Sequence, residues 1–74
     1  MQKLICEITD LIAKIEQATI AQKADKRLMM TWGDLAEEAI DAIRINDGMK
    51  DTDQLMEITQ QLIDIRLDYL KRVQ

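Results

Sequence analysis

Seven apolar residues near the start of the chain, Leu4, Ile5, Ile8, Leu11, Ile12, Ile15 and Ala18, recur at the spacing of an α-helix. At 100° per residue they fall within a sector of about 140°. Glu7, Asp10, Lys14 and Gln17 take the opposite side. The steps 4-8-11-15-18 also trace a heptad seam, which favours left-handed packing against another helix. A helix with one apolar face has to bury that face against something, so the rest of the chain is read for partners. Cys6 and Ile20 stand off the stripe.

A second series, Leu28, Trp32, Leu35, Ala36, Ala39, Ala42 and Ile43, again shares one face, with Asp34, Glu37, Glu38 and Asp41 on the far side. Thr31 and Asp34 have the spacing of a capping box, and Met30 and Leu35 that of a hydrophobic staple. Leu28 and Trp32 nevertheless keep phase with the later residues, which places the helix start near Asp25, itself a good cap. Both features hold together if Gly33 marks a kink or a loose first turn. Asn46-Asp47-Gly48 ends the helix, Gly48 supplying the left-handed conformation. Between the two series, residues 21–27 lose the stripe and gain charge, which predicts a turn. No Gly or Pro marks it, so a single bent helix from residue 3 to residue 45 is the alternative. Phase argues against that, because Gln22 and Lys23 would fall on the buried side.

The third series begins at Asp51 or Thr52, where Asp51 and Gln54 make a capping box and Asp53 adds favourable negative charge. Its apolar residues cover about 200° of the wheel, wider than one packing face requires. Two seams lie within it: Leu55, Ile58, Leu62, Ile65 and Tyr69 form one, and Met56, Ile63, Leu67 and Leu70 the other. Thr59 and Arg66 lie between them. A helix this wide is contacted from two sides, either centrally in a bundle or by a second chain. Lys71 and Arg72 suit its C-terminal turn.

The chain has no proline and only two aromatic residues, Trp32 and Tyr69, and good helix formers fill most of it. The expected architecture is all-α: one domain over 1–74 with helices at about 3–22, 26–46 and 52–73. They form an antiparallel three-helix bundle, or a helical hairpin plus a third helix. Ala36, Ala39 and Ala42 permit close approach of the second helix. A chain of this size buries only about 60% of its unfolded surface, and one cysteine gives no intramolecular disulfide. Completion of the core by oligomerisation, a dimer or higher, is therefore expected.

The net charge is −4. Lys3, Lys14 and Lys23 balance the acids of residues 1–23, and the excess of acid lies beyond residue 30. Without a basic stripe the chain is a poor binder of nucleic acid. No uncharged apolar run reaches the ~18 residues of a membrane span. Glu7 and Asp10 stand where a signal peptide needs its apolar centre. A lone Cys6 fits a reducing cytoplasm, and it reads as a small surface or boundary residue.

Absences exclude much chemistry. With no Ser and no His, Ser-His-Asp triads and Cys-His dyads are impossible. The ligands of a zinc site are missing. The two glycines stand too far apart for a phosphate-cradling loop. Aligning Gly48 with the sixth position of an EF-hand loop puts Ile43 and Ile45 where acidic ligands belong.

One stretch carries a resemblance. Leu35-Ala36-Glu37-Glu38-Ala39-Ile40-Asp41-Ala42-Ile43 resembles the Glu-Glu-x-x-Glu/Asp helix of MazG-type nucleoside triphosphate pyrophosphohydrolases. Those are all-α enzymes that bind Mg²⁺ through such acids and a Glu-x-x-Asp pair on a second helix. The resemblance implies a metal site of Glu37, Glu38 and Asp41 with Glu57 and Asp64. The chain departs from the pattern at the second pair, since Gln60 follows Glu57 at the required spacing and Asp64 lies a turn beyond. The resemblance covers nine residues. Read from the residues themselves, these acids are a solvated helix face, and no metal or cofactor is expected.

The expected function is that of a small cytoplasmic protein–protein interaction module, self-associating, with no enzyme activity. An adaptor, inhibitor or accessory factor of bacterial or phage type fits such a chain. The interface residues would be Trp32, Met56, Ile63, Arg66, Leu67, Tyr69 and Leu70. Exposed Ile20, Met30, Ile45 and Met49 would extend the patch. Trp32 reads as a core or interface anchor, and Arg66 as a snorkelling or salt-bridged residue or an interface hot spot. Tyr69 reads as a boundary residue with its hydroxyl in water. The alternatives are the Mg²⁺-dependent hydrolase, completed in a dimer, and a nucleotide or other small-ligand binder. The latter would line a pocket between subunits with Trp32, Arg66 and Lys26.

Overall fold

The computed structural model describes residues 2–46, 48 and 50–73. It contains three helices, α1 (Gln2–Ala21), α2 (Lys26–Ile45) and α3 (Thr52–Arg72), and no strand among the described residues. The boundaries lie within a residue of those the periodicity predicts. The molecule measures 38 × 18 × 17 Å, and a helix of some 20 residues is about 30 Å long, so all three lie side by side along the long axis. Near one end the Thr52 hydroxyl donates to the Asn46 carbonyl. Farther along, the Trp32 Nε1–H donates to the Leu62 carbonyl (3.0 Å) and the Asp25 amide to the Tyr69 hydroxyl (2.7 Å). These pairs run in opposite directions along α2 and α3, which fixes an up-down-up, antiparallel three-helix bundle.

Each stripe buries as its spacing dictates. Ile8 and Ile15 of α1, Ala39 of α2, and Leu55 and Leu62 of α3 lose all their exposed surface. Ile5, Leu11, Ala36, Tyr69 and Val73 complete the core. Thr19, Thr52 and Thr59 are buried with it, and none leaves its hydroxyl unsatisfied. The hydroxyls of Thr19 and Thr59 donate to the Ile15 and Leu55 carbonyls of their own helices. The off-stripe residues Cys6 and Ile20 are exposed.

The helix ends correct several expectations. α1 and α2 are separate helices. α1 closes at Gln22, whose φ of 55° lies in the left-handed region. The Lys23 amide reaches back to the Ala18 carbonyl and the Gln22 amide to that of Thr19, the paired bonds of a Schellman motif. α2 starts at a cap formed by Asp25, whose carboxylate accepts from the Arg27 and Leu28 amides. Thr31 and Asp34 therefore lie inside the helix, where there are no free amides for a capping box to satisfy. Met30 stays 71% exposed rather than closing a staple with Leu35.

α2 ends at Asn46, whose backbone and side-chain N–H groups both donate to the Ala42 carbonyl. Gly48 follows with the positive φ expected of it, 85°; Asp47 lies outside the described residues. The box between Asp51 and Gln54 does not form, because Asp51 has helical φ and ψ and makes no side-chain cap bond. The buried Thr52 joins the turn to α2 instead. Among the described residues no helix is long and apolar enough to cross a membrane.

Candidate interaction face

The two seams of α3 have separate fates. Leu55, Leu62 and Tyr69 of the inner seam are buried, with Ile58 and Ile65 packed beside them. On the outer seam Met56 is 51%, Leu67 51% and Leu70 42% exposed, and Ile63 is half-buried. The bundle therefore uses one side of the wide apolar sector and leaves the other in solvent.

Two grooves show which way the outer seam points. α1 and α3 meet along Ile12, Glu16, Gln61, Asp64, Ile65 and Asp68. α1 and α2 meet along Glu7, Asp10, Leu11, Lys14, Thr31, Asp34 and Leu35. The outer seam lies on the flank of α3 away from α1, and so belongs to the face that α3 shares with α2. Taking 100° per residue, Lys26, Gly33, Glu37, Ile40 and Arg44 project from α2 on this face within about 60° of one another. Ile40 is 49% exposed and extends the apolar surface. Its signal in the sequence is its place on the wheel beside Ala36 and Ile43, just outside the buried sector.

Trp32 and Arg66 join the two helices beneath this face. The indole hydrogen bond to Leu62 anchors α2 on α3, and the Arg66 guanidinium lies over the indole, 4.3 Å from the ring centroid. Arg66 thus stacks on an aromatic rather than forming a salt bridge. Among the described residues the one ion pair is Arg72 with Asp68, and the buried Nε of Arg66 has no hydrogen-bond partner. Trp32 and Arg66 are engaged with each other, and Lys26 is exposed at the start of α2.

Tyr69 is placed differently from expectation. It is 4% exposed and its hydroxyl accepts the Asp25 amide rather than facing water, so it holds the bundle together and is not on the exposed face. Ile20, Met30 and Ile45 are 82%, 71% and 79% exposed, yet they do not form one patch. Ile45 lies by the α1–α2 groove with Lys3, Leu4 and Glu7, Ile20 is at the end of α1, and Met30 stands at the rim of the α2–α3 face. Met49 lies outside the described residues.

Glu37, Glu38 and Asp41 are exposed on α2, and Glu57 and Asp64 on α3. Among the described residues no three such groups converge to hold a metal ion. The single chain thus does not assemble the carboxylate site that the MazG-type resemblance implies. No family model, curated protein or solved structure matches this chain.

Proposed function

We propose that the chain is a protein–protein interaction module that docks through its α2–α3 face. The observation that carries this reading is the outer seam of α3. Met56, Leu67 and Leu70, with Ile40 beside them, stay about half exposed although the bundle core is complete without them. A helix that keeps a second apolar row in water gains by burying it on another surface, at roughly 25 cal/mol per Å² of apolar area. The methionine on the row adapts its shape to a partner, and the stacked Arg66 has no carboxylate partner among the described residues, which leaves its charge to a partner's acids.

A photo-crosslinking amino acid at position 67, compared with one at exposed Ala13 on the far side of α1, tests the face in native cells. Adducts from position 67 and none from position 13 are expected. Equal labelling from both positions, or none from either, overturns the proposal. The adduct mass also separates a second copy of the chain from a different protein.

A further inference from the structure

The order of residues along the exposed face indicates what covers it. We infer that its occupant is a second copy of this chain, docked antiparallel about a two-fold axis that passes by Gly33 and Ile63. The inference rests on the interaction reading above and adds the partner and the register.

Met56, Ile63 and Leu70 project from α3 at intervals of seven, and Lys26, Gly33 and Ile40 project from α2 at the same interval. The bond between Trp32 and Leu62 sets Gly33 level with Ile63. Because the helices are antiparallel, Leu70 is then level with Lys26, and Met56 with Ile40. A two-fold axis lying in the face and crossing both helices at their middle residues sets α3 on α3 and α2 on α2. Met56 meets the partner's Leu70, and Ile63 meets the partner's Ile63, so the patch is complementary to itself.

Charge follows the same order. Lys26, Arg66 and Lys71 gather at the Leu70 end, where Asp25 is the neighbouring acid, and Glu37, Asp41 and Asp53 lie toward the Met56 end, where the bases are Arg44 and Lys50. The two-fold sets each basic end over the partner's acidic end. Lys26 comes over the partner's Ile40, between the partner's Glu37 and Asp41. Lys71 comes to the level of the partner's Asp53. Arg66, which meets no carboxylate among the described residues of its own chain, comes to the level of the partner's Glu37. A parallel arrangement would set like charges together.

The glycine at the centre agrees with this register. A Cβ at Gly33 would meet nothing within 4 Å, so the bundle itself has no need of glycine there. A glycine inside a helix weakens that helix, but on the two-fold it lets the two α2 backbones approach closely.

Position 33 faces itself across such an axis, and that supplies the test. Gly33→Glu and Gly33→Lys are compared with the wild type by sedimentation equilibrium, with circular dichroism to verify helix content. The wild type is expected to dimerise. Each variant alone is expected to fold and to have a dissociation constant raised by about tenfold or more. An equimolar mixture of the two is expected to dimerise again, as a heterodimer. A wild type that remains monomeric at about 1 mM, where even weak dimers form, overturns the inference and leaves the docking reading to the crosslinking result. A dimer that both variants retain, or that the mixture fails to restore, overturns this register while self-association stands. A test that introduces no charge is Gly33→Cys in a Cys6→Ala background. Mild oxidation with diamide is expected to yield a covalent dimer, whereas Thr31→Cys, on the α1 side of α2, yields none; equal dimer from both also overturns the register.

Discussion

Single side chains close the turns of this bundle, and the least obvious of them is Gln22. It holds a left-handed conformation that costs a residue with a Cβ roughly 1–2 kcal/mol, a cost that glycine avoids. Gln22→Gly should therefore raise the unfolding free energy by about 1 kcal/mol, less what glycine adds to the entropy of the unfolded chain. A urea titration that shows no gain, or a loss, contradicts this account of the turn. Tyr69 closes the other side of the same junction. Tyr69→Phe keeps the ring in the core and removes the acceptor of the Asp25 amide, so it should cost about 1 kcal/mol. An unchanged urea midpoint would show that water replaces the hydroxyl without cost. Neither role can be read in the sequence. A glutamine carries no turn signal, and the reach from Tyr69 to Asp25 spans 44 positions. The capping box at Thr31 fails for a related reason: a motif of four residues is satisfied only where the helix begins, and α2 begins at Asp25. The box at Asp51 fails although α3 begins there, because Asp51 itself takes helical φ and ψ.

At the level of elements, periodicity carried the information. The α1 stripe, the α2 stripe and both seams of α3 are legible because burial acts on whole rows of side chains and tolerates an error of a residue at either end. The outer seam was legible for the same reason: the apolar sector of α3 is wider than a three-helix bundle can cover. Its continuation onto α2 was not legible, because Ile40 joins Met56 only once the two helices are set antiparallel. The scattering of Ile20, Met30 and Ile45 was equally hidden, since hydropathy gives exposure without location. A substitution on the outer seam should separate folding from docking. Leu67→Glu alters a side chain that is already half in solvent, so unfolding free energy should change by less than about 0.5 kcal/mol, while sedimentation shows dimerisation weakened by about tenfold or more. A loss of several kcal/mol of stability with association intact would mean that the outer seam belongs to the core.

On the scale of the whole molecule, a chain of this length sits near the limit of what one core can stabilise. The large side chains that are fully buried, Ile8, Ile15, Leu55 and Leu62, are few, and removing one is correspondingly costly. Leu62→Ala, at the point where Trp32 ties α2 to α3, should cost about 2–5 kcal/mol, enough to unfold much of the population of a marginal domain. The inferred association would enter stability through mass action, because a dimer of folded chains draws the equilibrium away from the unfolded state. A tenfold rise in concentration contributes about 1.4 kcal/mol per dimer, or about half that per chain. For a domain of this size that corresponds to a rise in Tm of about 3–5 °C. Gly33→Glu should behave in the opposite way on both counts. Replacing a helical glycine whose Cβ position is open should raise the stability of the isolated chain by about 0.5–1 kcal/mol, and its Tm should be independent of concentration. Calorimetric scans of both proteins at two concentrations check this. A wild-type Tm that does not move with concentration would place all of the stability in the three helices and none in the face they leave open.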